Sequence, residues 1–193
     1  MFELYNEPDV PPTAPGWALW KNGGPVNSPA GSCVAVGMQQ LIDAIRAHRA
    51  RNVLIVPGAD WQRTIAGMPA LTDPLSRAAP QLAYGIHYPS LGGGRQAWQQ
   101  SFGMASARVP VIVTEWNADS TTKCDPAAPG AAPVLLNYLA SRKIGVVGFA
   151  FDWPGSIVRN WAYVPTSYRQ FQCGIPGGGP GQLLFSQFRT ETG

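Results

Sequence analysis

Two glutamates stand at the ends of two apolar runs. Glu7 follows Phe2-Glu3-Leu4-Tyr5 within Asn6-Glu7-Pro8, and Glu115 ends Val109-Pro110-Val111-Ile112-Val113-Thr114. Two carboxylates at the C-terminal tips of two strands suit a retaining glycosidase. One protonates the leaving oxygen, the other attacks the sugar, and the two carboxyl groups stand about 5–5.5 Å apart. Glu7 is the acid/base candidate, and Pro8 predicts extended backbone at Glu7 that would hold it at the strand tip. Glu115 is the nucleophile candidate and shares strand parity with Val111 and Val113. Asn6 is placed to hydrogen-bond a sugar 2-hydroxyl, a contact that strengthens in the transition state; the competing reading is a turn residue. His87 is expected to touch substrate or orient a carboxylate, with a satisfied buried histidine as the rival. Trp153, and more weakly Trp61 and Trp116, are candidate stacking platforms with core packing as the alternative. Glu3 has the parity of Glu7 and is expected to point inward as a structural, hydrogen-bonded carboxylate, with its partner on a strand outside this chain.

The elements that must position these groups follow from length and pattern. The 193 residues suffice for one domain with its own core, taken as residues 1–193. Apolar runs of strand length alternate with amphipathic stretches of helix length. Strands are predicted at the opening run, Asn52–Pro57, Leu82–Tyr88, Val109–Glu115 and Ile144–Trp153. Helices are predicted near Val34–Arg51, Arg95–Ala107 and Val134–Arg142, with a last helical turn or two at Leu183–Phe188. Asp9–Ser32, Gly58–Pro80 and Asn117–Pro133 are predicted as loops. Strand, helix, strand in repetition means βαβ units and a parallel sheet, and near-continuous apolar strands fit a sheet covered on both faces. The long loops follow strand C-termini while the returns are short, which places function at the C-terminal face, as in a TIM barrel.

Composition narrows the function. Charged residues are 13% of the chain, against about 25% in typical soluble domains. The net charge is +3, with no basic run of the kind a nucleic-acid footprint needs. Few charges beside seven tryptophans suit a neutral ligand that aromatic faces can stack on, such as a sugar. No apolar run reaches membrane-span length, and Met1 leads into a strand with no signal-peptide pattern between. No His/Cys grouping has metal-ligand spacing, and neither glycine cluster forms a phosphate loop. No metal and no cofactor are therefore expected. The three cysteines, Cys33, Cys124 and Cys173, are no disulfide framework. A bridge between Cys124 and Cys173 and three free thiols both remain open.

With the elements placed, the chain resembles the second part of a glycoside hydrolase family 5 catalytic domain, the cellulase and mannanase family. Phe2-Glu3-Leu4-Tyr5-Asn6-Glu7-Pro8 resembles its fourth barrel strand, where Asn-Glu-Pro carries the acid/base. Tyr84-Gly85-Ile86-His87-Tyr88 resembles the sixth strand with its substrate-side histidine, and Ile112-Val113-Thr114-Glu115-Trp116 the seventh with its nucleophile. Phe149-Ala150-Phe151-Asp152-Trp153 resembles the eighth, ending in a sugar-stacking tryptophan. Ala44-Ile45-Arg46 and Val56-Pro57-Gly58 with Trp61 fit the fourth helix and fifth strand. The family reads His-x-Tyr on the sixth strand; here Tyr88 follows His87 directly, and Pro89 stands at the tyrosine's place. The resemblance implies an α/β fold, a partial TIM-type (β/α) barrel of about five parallel strands with helices, the first three βα units being absent. It implies a retaining endo-β-1,4-glycanase acting on glucan or mannan, with Asn6, His87, Tyr88, Trp153, Trp116 and Trp61 around the substrate. It also implies a secreted protein.

Five parallel strands leave two open edges, templates for pairing with another chain, and inward faces bearing Val111, Val113, Val147 and Phe149 without cover. Self-association into a homo-oligomer is therefore expected. The competing functional reading is a weak or inactive barrel remnant that serves as a carbohydrate-binding or self-assembling module.

Overall fold

A computed structural model of the chain describes residues 1–29, 31–76, 79–89, 91–118, 127–151, 161–162 and 179–191. They fall into two compact units, Met1–His87 with Met104–Val111, and Tyr88–Gly103 with Ile112–Gly193.

The first unit holds three parallel strands, β1 (Phe2–Glu3), β4 (Leu54–Pro57) and β5 (Leu82–His87), with β4 in the middle. Phe2 lies opposite Leu54 and Glu3 opposite Ile55, while Leu54 to Pro57 pair with Leu82 to Gly85. Every residue of β4 and β5 is buried, as their unbroken apolar runs require. Between β1 and β4 come helix α1 (Ala14–Asn22), an antiparallel hairpin of β2 (Gly23–Ser28) and β3 (Gly31–Val36), and helix α2 (Met38–Ala47).

Helix and hairpin occupy the stretch expected to be loop from Asp9 to Ser32. Thr13 caps α1 by accepting the Gly16 N–H, and Pro15 fits its first turn. Trp17 and Trp20 then bury their rings edge to face, 5.2 Å between centroids, and the Trp20 indole donates to the Pro57 carbonyl at 3.0 Å. Because β3 takes Val34–Val36, helix α2 begins four residues later than expected. It stops at His48, before left-handed Arg49 (φ 57°), rather than at Arg51.

In the second unit β6 (Val111–Trp116), which enters it at Ile112, pairs in parallel with β7 (Gly145–Gly148). The stretch expected as one helix from Arg95 to Ala107 is three pieces: α4 (Gly94–Trp98) and a π-helical turn (Gln99–Gly103) in this unit, and a 3₁₀ turn (Ala105–Ala107) that belongs to the first. Helix α5 (Ala128–Ser141) starts six residues ahead of expectation and buries Leu135, Leu136, Tyr138 and Leu139. Left-handed Lys143 (φ 57°) ends it, and the Ile144 N–H reaches back to the Leu139 carbonyl, so one residue suffices to turn the chain toward β7. The last helix, α6 (Pro180–Glu191), runs twelve residues, longer than the one or two turns expected.

Val111 and Val113 are buried, at 7% and 0% exposure, against the expectation that they lack cover; Val147 and Phe149 are exposed. Among the described residues no helix is long and apolar enough to cross a membrane.

Candidate active site

Glu7 leaves β1 in the left-handed region (φ 48°), not in the extended conformation its position before Pro8 predicts. Hydrogen bonds account for the difference. The Glu7 N–H donates to Gln62 Oε1 at 3.2 Å, and one Glu7 carboxylate oxygen lies 3.0 Å from Nδ1 of His87. The next residues are fixed as well: the Trp61 N–H donates to the Pro8 carbonyl and the Asp60 N–H to the Val10 carbonyl. Both donors lie on α3 (Ala59–Gln62), a single turn after β4 whose Asp60, Trp61 and Gln62 all have positive φ (53°, 55° and 61°). Left-handed helical backbone costs a residue with a side chain about 1–2 kcal/mol. The bonds that this turn gives the Glu7 segment offset part of that cost.

Gln62 is fully buried, and its amide works in both directions. Its oxygen accepts from Glu7, and its nitrogen donates to Glu3 Oε1 at 2.5 Å. Glu3 is thus hydrogen-bonded, as expected, but its partner is on this chain and the residue is exposed rather than deep in an interior. His87 is buried at 1% exposure between two carboxylates, Nδ1 facing Glu7 and Nε2 3.9 Å from Glu3. Gly85, on the same face of β5 as His87, leaves room for this network. A Cβ there would stand 2.6 Å from Gln62 Nε2 and 3.0 Å from Glu3 Oε1.

In the second unit Glu115 lies in a β-bulge. Val113 pairs with Val146 and Trp116 with Gly148, so β6 carries one residue more than β7 over that interval. Such an insertion re-aims side chains near a strand end. The Tyr88 hydroxyl donates to Glu115 Oε2 at 2.8 Å, and the Tyr88 N–H to the Glu115 carbonyl at 2.9 Å. Tyr88 reaches these partners with φ 40°, a second left-handed residue before a proline. Its ring meets Phe149 edge on, centroids 6.1 Å apart.

The other expected site residues are placed unevenly. Asn6 is exposed beside Glu7. Trp61 is 46% exposed and presents an open indole. Trp116 is fully buried and shows no face to solvent; its indole N–H has no acceptor among the described residues. Trp153, Cys124 and Cys173 lie outside the described residues, and Cys33 is an exposed free thiol. Gln62 was missed from the sequence because nothing in Asp60-Trp61-Gln62 announces a left-handed turn.

A family model described as Cellulase (glycosyl hydrolase family 5) matches residues 1–154. Among solved structures, the chain is similar to the catalytic domain of the Thermobifida fusca endoglucanase Cel5A. Identity there is 19%, over 78% of this chain and 50% of that one, with a TM-score of 0.53. It is similar to a GH5 cellulase from an Icelandic hot spring isolate at 18% identity, over 80% and 46%, TM-score 0.51. It is similar to a protein from Cytophaga hutchinsonii at 16% identity, over 98% and 57%, TM-score 0.55. The chain thus spans roughly half the length of the solved chains it matches. No curated protein sequence matches it. The shared fold is a partial TIM-type (β/α) barrel, five parallel strands with helices, as the family resemblance implies.

Proposed function

The chain belongs to the cellulase family, glycosyl hydrolase family 5, and on that premise we propose that it encodes a retaining endo-β-1,4-glycanase with Glu7 as acid/base and Glu115 as nucleophile. The observation that supports this most is that two consecutive residues each hold one of the glutamates. His87 faces Glu7 at 3.0 Å, and Tyr88 donates to Glu115 at 2.8 Å.

In the first step a Glu115 oxygen attacks the anomeric carbon while Glu7 gives its proton to the glycosidic oxygen. The bond to the leaving sugar breaks and a glycosyl ester forms on Glu115. In the second step Glu7, now a carboxylate, takes a proton from water. The water oxygen bonds the anomeric carbon from the opposite face and releases Glu115. The Tyr88 O–H fixes the rotation of the Glu115 carboxylate before the attack and supplies orientation without reorganisation. Asn6 is the donor to the sugar 2-hydroxyl, and exposed Trp61 is a stacking surface for a neighbouring ring. The substrate class is a β-1,4-linked glucan or mannan, and the protein is a secreted one that works without cofactor or metal.

The test is hydrolysis of soluble β-glucan and β-mannan by the wild type, Glu7→Gln and Glu115→Gln, with the product anomer followed by proton NMR. The expected result is turnover of one polymer with the β-anomer appearing first, and a loss of about 10²–10⁴-fold or more in each variant. A folded wild type that hydrolyses neither polymer, or a first product of α configuration, would contradict the proposal. Sugar binding without turnover would favour the remnant reading.

A further inference from the structure

We propose that Gln62 is a positioning residue for the acid/base: its buried amide, presented by a left-handed turn, sets the orientation of Glu7 and the charge environment of His87. The proposal rests on the reading of Glu7 as acid/base and adds the device that holds it.

Three hydrogen bonds, two between backbone groups and one to the Gln62 side chain, run between one short turn and one short segment. Gln62 Oε1 accepts the Glu7 N–H, the Trp61 N–H reaches the Pro8 carbonyl, and the Asp60 N–H reaches the Val10 carbonyl. The turn therefore acts as a template for Glu7 to Val10, and Gln62 is its only member that bonds Glu7 itself through a side chain among the described contacts. The other end of the same amide donates to Glu3 Oε1. That oxygen is the one 3.9 Å from His87 Nε2, while His87 Nδ1 meets Glu7. The imidazole thus lies between two carboxylates, and the amide touches both residues that carry them. A glutamine suits this place because it offers an acceptor and a donor with no charge of its own. An apolar residue would leave the Glu7 N–H without that acceptor and loosen Glu3. A glutamate would replace the donor facing Glu3 with a like charge.

An acid/base must change protonation twice per turnover, so its orientation and the charge near it matter most when the leaving group needs a proton. A substrate whose leaving group departs unprotonated should ignore Gln62. This separates positioning of the acid/base from mere support of the fold.

The experiment compares wild type, Gln62→Met and Gln62→Glu on phenyl β-cellobioside and phenyl β-mannobioside, which need acid assistance, and on their 2,4-dinitrophenyl counterparts, which do not. The Glu7 carboxyl is titrated in the same samples by carbon NMR of selectively labelled protein, a readout that needs no turnover. The expected result is a fall in kcat/KM of about tenfold or more on the phenyl glycosides and little change on the dinitrophenyl ones. The Glu7 titration midpoint should move by about half a pH unit or more in both variants. Equal losses on both substrates with an unmoved Glu7 midpoint would show that Gln62 only supports the fold, and would overturn the proposal. If the wild type cleaves none of these glycosides, the hydrolase reading falls, and the midpoint alone decides whether Gln62 controls Glu7. Should Gln62→Met fail to fold, Gln62→Glu, of nearly equal volume, decides by the same criteria.

Discussion

Breaking the buried Arg46–Asp73 pair should destabilise the first unit by several kcal/mol. Arg46 is 3% exposed and Asp73 1%. Nε meets Asp73 Oδ1 at 2.9 Å and Nη2 meets Oδ2 at 3.0 Å, a two-point grip. Arg46 also donates to the carbonyls of Ala50, Asn52 and Gln81, and Asp73 accepts the N–H groups of Leu75 and Gln81. The pair therefore ties the end of α2 to the loop at Asp73 and to the residues that enter β4 and β5. An exposed pair contributes about 0–1 kcal/mol, whereas removing one partner of a buried pair costs about 3–5 kcal/mol because the other charge is stranded. Burial decides for the second figure. Asp73→Asn should sit near its lower end, about 3 kcal/mol, because three carbonyls still receive Arg46. Replacing both groups by apolar ones, Arg46→Met with Asp73→Leu, should cost less than the two single changes together. Burial pushes the Asp73 carboxyl up, but hydrogen bonds from Arg46, Gln81 and Leu75 and the Arg46 charge outweigh it and hold the group below its ordinary 3.8. A depressed folded-state value means the contribution is complete above 3.8 and is lost as pH falls through that lower value. Urea unfolding followed by tryptophan fluorescence, at neutral pH and down to acid, reads both effects as shifts in midpoint at constant slope. A loss under about 1 kcal/mol for Asp73→Asn would mean that the pair contributes no more than an exposed one, against the burial seen here.

Other outcomes follow from the site. Tyr88→Phe removes a hydrogen bond to a charged acceptor, worth about 1.5–3 kcal/mol. It should lower kcat/KM by about 10- to 100-fold and Tm by no more than the loss of that one bond, since the ring contact with Phe149 survives; unaltered kinetics would remove Tyr88 from its role. Gly85→Ala drives a methyl to 2.6 Å from Gln62 Nε2, so activity should fall and the carbon signals of Glu3 and Glu7 should shift, while unchanged spectra would contradict the network. We also propose self-association. Val147, Phe149 and Phe151 expose apolar side chains at alternate positions, by 47%, 37% and 58%. Sedimentation velocity should show a species larger than the monomer that Val147→Lys with Phe151→Lys disperses, and a wild type that stays monomeric across a hundredfold range of concentration would contradict this.

The sequence was most legible where physical signals are redundant. Unbroken apolar runs mark β4 and β5 because both faces of those strands are covered; β6 is marked by its apolar run too, although Ile112 and Thr114 are only half-buried, and Glu7 and Glu115 stand out as the polar residues that end such runs. Signals were misread where glycine and proline dominate. Thr13 and Pro15 form a helix start, and Val26, Cys33 and Val34 supply strand residues, but Gly23, Gly24 and Pro25 between them suggested loop. The break of the Arg95–Ala107 helix has no local signal. There the Tyr138 hydroxyl comes within 1.9 Å of where a Gly103 Cβ would be, and Arg142 holds the Gly103 carbonyl from α5. Those partners are more than thirty residues away. The left-handed conformations of Glu7, Gln62 and Tyr88 were hidden for the same reason, since non-local hydrogen bonds override the local preference for extended or right-handed backbone. Gln62 was therefore invisible as a site residue even though its neighbours were not.

The most direct test of Glu115 as the nucleophile is intact mass after incubation with activated 2-deoxy-2-fluoro cellobiosyl and mannobiosyl donors, with peptide mapping of the product. One glycosyl unit per chain, attached to Glu115, is expected from one donor in preference to the other, and none in Glu115→Gln. A folded wild type that gains no mass from either donor, or an adduct on another residue, would contradict it.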